Sequence, residues 1–155
     1  MPIEPGPAVY ADTGLLSPVS VGADATVSDA VVASALVRAE VALVVGLRSL
    51  GAIPPRAAEE IELAAGTLTV DAAALAASLA ADAVADGNPV GAVVGRLRAA
   101  VADPEAAGWV HRGATSQDIL DTALAIVARE ALAAIVADLD RAIDALAALA
   151  IRYRD

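Results

Sequence analysis

The residues with most chemistry to offer stand together: His111, Thr115, Ser116, Gln117 and Asp118. They lie in the run Trp109-Val110-His111-Arg112-Gly113-Ala114-Thr115-Ser116-Gln117-Asp118-Ile119-Leu120-Asp121-Thr122-Ala123. Gly113 makes the run a loop. From Ser116 to Tyr153 there is neither Pro nor Gly, so the loop delivers two hydroxyls to the start of a helix. The first amides of a helix have no partner within it, and its dipole is positive there, which makes the place an anion site. A carboxylate could collect both hydroxyls, one or two amides, and His111 once it is protonated. A plainer use exists for the same residues. Thr115 or Ser116 suits an N-cap, and Asp118 in the first turn compensates the dipole. Type and spacing leave both uses open.

Composition removes several other functions. With no Cys and one His, a disulfide framework, a thiolate metal site and a multi-His metal centre are all excluded; no metal or cofactor is expected. The net charge is −10 and every basic residue is Arg. Nucleic acid and anionic membrane surfaces both demand a basic footprint, so neither is an expected partner. The mean hydropathy is +0.66, yet the strongest apolar stretch, Val41 to Leu47, is flanked by Glu40 and Arg48. No uncharged segment reaches the ~18–20 residues of a bilayer span. Met1-Pro2-Ile3-Glu4-Pro5 lacks the basic start of a signal peptide, so a cytoplasmic location is expected. Ala, the best helix former, dominates the composition, while aromatic strand formers are scarce. The expected class is all-α.

The elements that must position the site follow from punctuation and period. Residues 1 to about 27 read as an extended lead-in rich in Pro and Gly. Ser28 caps a first helix that carries Leu36, Leu43, Leu47 and Leu50 and stops at Gly51. Pro54-Pro55 opens a short helix through Ile61 that ends near Gly66. Asp71 caps a third helix, from Ala72 to about Ala85, closed by Gly87-Asn88. Pro89 opens a fourth, with Val93, Val94, Leu97 and Val101, and Asp103-Pro104-Glu105 is a tight turn. The last helix keeps one stripe through Leu120, Leu124, Val127, Ala131, Ile135, Leu139, Ala142, Leu146, Leu149 and Tyr153. Its length, on the order of 60 Å, exceeds a domain this small. Such a helix needs partners from another copy or from further sequence. The expected organisation is a small N-terminal helical domain, 1–112, and the first long helix of a central bundle, 113–155.

The run from His111 to Ala123 resembles the first signature block of the fumarase/aspartase superfamily, His-x-Gly-x-Thr-Ser-x-Asp-x-x-Asp-Thr. Its Gly113-Ala114-Thr115-Ser116-Gln117-Asp118 core looks like the 3-carboxymuconate cycloisomerase branch. Gly14-Leu15-Leu16-Ser17-Pro18, Gly51-Ala52-Ile53-Pro54 and Gly87-Asn88-Pro89-Val90 look like landmarks of that branch in the same order. Arg112 departs from the pattern, which often has an aromatic there. The resemblance implies cofactor-free chemistry on a small polycarboxylate, in a homotetramer whose sites are built from several subunits. It implies that Thr115 and Ser116 donate to a substrate carboxylate and that His111 binds substrate or stabilises charge. Asn88, Gln117 and Asp118 would line or support the pocket. The superfamily's general base lies in a Gly-Ser-Ser-x-Met-Pro-x-Lys-x-Asn loop that does not occur in this chain, so the chain alone is expected to be inactive. Adenylosuccinate lyase is the nearest rival within the superfamily; the stretch from Val84 to Val90 has none of the cations a nucleotide phosphate would want. A non-catalytic oligomerisation module is the rival outside it.

Overall fold

The structure, a computed structural model, describes residues 22–154, so the Gly14-to-Pro18 landmark lies outside it. Among the described residues there is no strand. After a 3-10 turn, Ala23–Val27, come six helices: α1 (Asp29–Ser49), α2 (Pro55–Leu68), α3 (Ala72–Asp86), α4 (Val90–Ala100), α5 (Pro104–Ala107) and α6 (Ser116–Arg152). The protein is all-α, as its composition requires.

Most boundaries fall where the sequence punctuates. Gly51 has φ 68°, donates to the Arg48 carbonyl, and is followed by an Ala52-to-Leu47 bond. That pair closes the last turn of α1 in a Schellman motif, which favours glycine at this position. Asp71 accepts the Ala74 N–H at 2.9 Å and so caps α3. Three expectations need correction. Ser28 precedes α1, but its hydroxyl donates backwards to the Ala25 carbonyl at 3.2 Å and caps nothing in α1. Gly66 lies inside α2, whose packed Ala64 and Ala65 carry the helix past it. The Asp103-Pro104-Glu105 turn is the start of α5, with Asp103 accepting the Glu105 N–H at 3.0 Å.

Helix α1 is the centre of the packing, touching α2, α3, α4 and α6, while α2 also packs on α4 and α5. Leu36, Val37 and Val44 of α1 meet Ile61, Leu79, Val93 and Leu97 in one core. By length and composition alone α1 is apolar enough to cross a bilayer; here its apolar face is the protein's own core. The inward face of α6 is Ile119, Ala123 and Val127. Leu124, a member of the stripe read from the sequence, is exposed, because α1 lies against the Ile119 side. Beyond Ala131 every described residue of α6 is exposed. Its packing therefore fixes the first three turns, where the candidate residues sit.

Candidate active site

The loop between α5 and α6 is held from beneath. Arg98 of α4 donates to the Val110 carbonyl at 3.0 Å, and Val110 is fully buried. The next residue, His111, has φ 62°, a left-handed conformation rare outside glycine. That turn sends the imidazole into the core, where Nδ1 lies 2.6 Å from Oε1 of Glu40. Glu40 is 0% exposed and stands on the buried face of α1. Burial pushes its carboxyl above the usual range, against the bonds from His111 and the charge of Arg98, which pull it down. Arg112 points elsewhere: its guanidinium stacks over the Trp109 ring, 4.3 Å from the centroid. Such an arrangement occupies Arg112 with a cation–π contact.

Thr115 is the N-cap of α6, which resolves the choice between the two hydroxyls. The Thr115 N–H donates to Oδ2 of Asp118 at 2.8 Å and the Asp118 N–H donates to the Thr115 hydroxyl at 3.4 Å, completing a capping box. The hydroxyl itself donates to the same Oδ2 at 2.9 Å. The Thr115 N–H, then its hydroxyl and the nearby His111 charge, hold the Asp118 carboxyl below its usual range. Ser116 is the first helical residue and half-buried, and its hydroxyl makes no hydrogen bond among the described residues. Gln117 donates to Asp121 at 2.7 Å on the exposed side of the helix.

The structure therefore brings His111, Thr115, Ser116 and Asp118 to one corner. It does not join Asn88 to them by a hydrogen bond among the described residues. Asn88 instead accepts the Val90 N–H at 3.0 Å and starts α4. A cavity of about 180 Å³ between α1 and α3 runs beside Pro89, lined by Leu36, Ala76 and Leu79, away from this corner. Among the described residues no group of three His, Cys, Asp or Glu side chains is placed to hold a metal ion. Sequence reasoning passed over Glu40 and Arg98. The available signal for Glu40 was its register, since Ala33, Leu36, Val37, Glu40 and Val44 fall on one helical stripe.

The chain is all-α and sets a His-Gly-Thr-Ser-Asp block at the start of its longest helix. Residues 21–155 match the Lyase family, and the chain belongs to it, within the fumarase/aspartase superfamily. It is 47% identical to nitrosuccinate lyase of Streptomyces davaonensis over 98% of this chain and 32% of that protein. It is 45% identical to 3-carboxy-cis,cis-muconate cycloisomerase of Bradyrhizobium diazoefficiens over 79% of this chain and 25% of that protein. An adenylosuccinate lyase of Aquifex aeolicus is 40% identical over only 30% of this chain and 11% of that protein. The chain thus spans about a third or less of the length of these curated relatives.

Proposed function

We propose that this chain supplies the substrate-carboxylate corner of a cofactor-free enzyme acting on a small polycarboxylate, and that the enzyme is a 3-carboxy-cis,cis-muconate cycloisomerase. In that reaction a carboxylate oxygen adds to a double bond of the same molecule and a proton is taken up at the adjacent carbon, giving 4-carboxymuconolactone. The intermediate carries extra charge on a carboxylate, which positioned donors stabilise. The observation that carries the reading is the open corner at the start of α6. There the Ser116 hydroxyl and the His111 Nε2 are free of hydrogen bonds among the described residues. Thr115 has its hydroxyl committed to Asp118, so its donation to substrate would follow a rearrangement of the capping box. Gln117 and Asn88 are assigned outer roles, supporting the pocket. The division into a helical domain, 1–112, and a bundle helix, 113–155, belongs to the same proposal, as does a homotetramer.

A second reading is favoured by the near-complete match to nitrosuccinate lyase, which covers more of the chain than the cycloisomerase match does. Elimination from nitrosuccinate removes a proton from one carbon and nitrite from the next, leaving a butenedioate. Both reactions place negative charge beside a carboxylate, so the same corner serves either. The test is to give the full-length protein each substrate in turn, following muconate absorbance and released nitrite. Loss of the muconate alone supports the cycloisomerase; nitrite release alone establishes the second reading. Turnover of neither substrate sinks both.

A further inference from the structure

We propose that Glu40 is a positioning residue for His111, taking Nδ1 from within the core so that Nε2 is left as the N–H offered to a substrate carboxylate. This rests on the reading of the corner as a carboxylate site. Glu40 is 0% exposed, its Oε1 lies 2.6 Å from Nδ1, and its Oε2 is buried with no hydrogen-bond partner among the described residues. A carboxylate on an apolar helix face with only one oxygen engaged is a poor stabiliser, because desolvation outweighs a single bond. The surrounding structure nevertheless builds towards the contact. Arg98 pins the Val110 carbonyl, and the left-handed turn at His111 swings the ring inwards.

The pairing fixes what Nε2 can do. With two protons in the pair, one shared between Oε1 and Nδ1 and one on Nε2, Nε2 donates whichever partner holds the shared proton. If Oε1 holds it, the ring is neutral with hydrogen on Nε2; if Nδ1 holds it, the ring is a cation and Nε2 again donates. Losing the proton would leave an uncompensated charge on Glu40 in the core, which burial resists. The charged groups facing the pair are Arg98 from α4 and Asp118 from the start of α6. Arg112, the next residue in the loop, is turned onto Trp109.

The chain has a single His, so nitrogen-15 spectra of its ring report this site alone. At pH 7.5 the parent chain should show a proton on or shared with Nδ1 and a far-downfield proton signal from the short contact. Glu40→Met should convert Nδ1 to a bare, pyridine-type nitrogen and abolish that signal, while Glu40→Gln, which keeps an acceptor, should retain hydrogen on Nδ1. Circular dichroism checks that each variant folds, and Glu40→Gln is the variant carried forward if Glu40→Met does not. In the full-length protein Glu40→Gln should raise KM about tenfold and change kcat less, as expected for loss of a charge-assisted carboxylate contact. A hydrogen-free Nε2 in the folded parent chain overturns the proposal. An intact Nδ1 signal with unchanged KM in Glu40→Gln also overturns it. In that last case, if His111→Ala leaves KM unchanged too, the carboxylate site itself is wrong; if His111→Ala raises KM, only the role of Glu40 fails.

Discussion

Thr115 accepts from the Asp118 N–H and donates to the Asp118 carboxylate, so a single hydroxyl joins both halves of the capping box. The motif was legible as residue types, but three residues cannot reveal which hydroxyl caps and which stays free. The structure assigns the cap to Thr115 and frees Ser116, and that separates their expected effects. Thr115→Ala should cost about 0.5–2 kcal/mol of stability. Ser116→Ala should leave the melting temperature nearly unchanged and lower kcat/KM of the full-length enzyme at least about tenfold. Asp71→Ala is the control for pure capping, since it caps α3 away from the corner. If Ser116→Ala leaves kcat/KM intact, Ser116 is not a substrate donor. Asp118 adds a pH dependence. Its carboxyl is lowered in the folded chain, so its stabilising effect is present above the ordinary carboxylate range and is lost as pH falls through the lowered value. Thermal melts from pH 7 down to pH 2 should therefore show a steeper acid loss in the parent than in Asp118→Asn. Parallel curves would contradict the assignment. Glu40 was the residue least legible in advance. Its register was visible, but its partner lies 71 positions away, and only the fold brings them together.

Helix positions were easier to read than helix roles. Pro and Asp mark the starts of α2, α3 and α4, and Gly marks the stops of α1 and α3, because each changes what the backbone can do there. Reading failed where tertiary packing overrode a local signal. Gly66 costs a helix interior about 1 kcal/mol relative to Ala, and the buried Ala64, Ala65 and Ile61 of the same helix outweigh that. The stripe along α6 shows the other limit. Periodicity revealed an apolar face but not that only Ile119, Ala123 and Val127 of the described residues of α6 would be buried. The contrast is measurable in one helix pair. Leu36, 1% exposed where α1 crosses the core, should cost about 2–5 kcal/mol when changed to Ala. Leu146, 65% exposed, should cost within about 0.5 kcal/mol in unassociated chain. Chemical denaturation at low protein concentration checks both, and a large loss from Leu146→Ala would mean that α6 already packs on something at that concentration.

The whole molecule carries more apolar surface than its own core can cover. Leu132, Val136, Leu139, Ile143 and Leu146 recur in alternating steps of four and three along α6, the spacing of a coiled-coil seam. All five are more than half exposed, and contiguous patches of that kind mark interfaces. Mixed charge flanks the seam, with Asp138 paired to Arg141, so the stripe is a bordered surface and not a uniformly apolar rod. A second copy of the same helix supplies a matching apolar face, which is the simplest complement for a bundle built from identical chains. The chain should therefore run above its 15.3 kDa monomer mass in multi-angle light scattering, with the associated fraction growing with concentration. Leu139→Gln, Ile143→Gln and Leu146→Gln together keep helix propensity and remove the centre of the seam. The triple variant should return the mass to that of a monomer while α1 to α5 keep their melting behaviour, because none of the three side chains reaches their core. A parent chain that stays monomeric at millimolar concentration would show that α6 alone does not bring copies together.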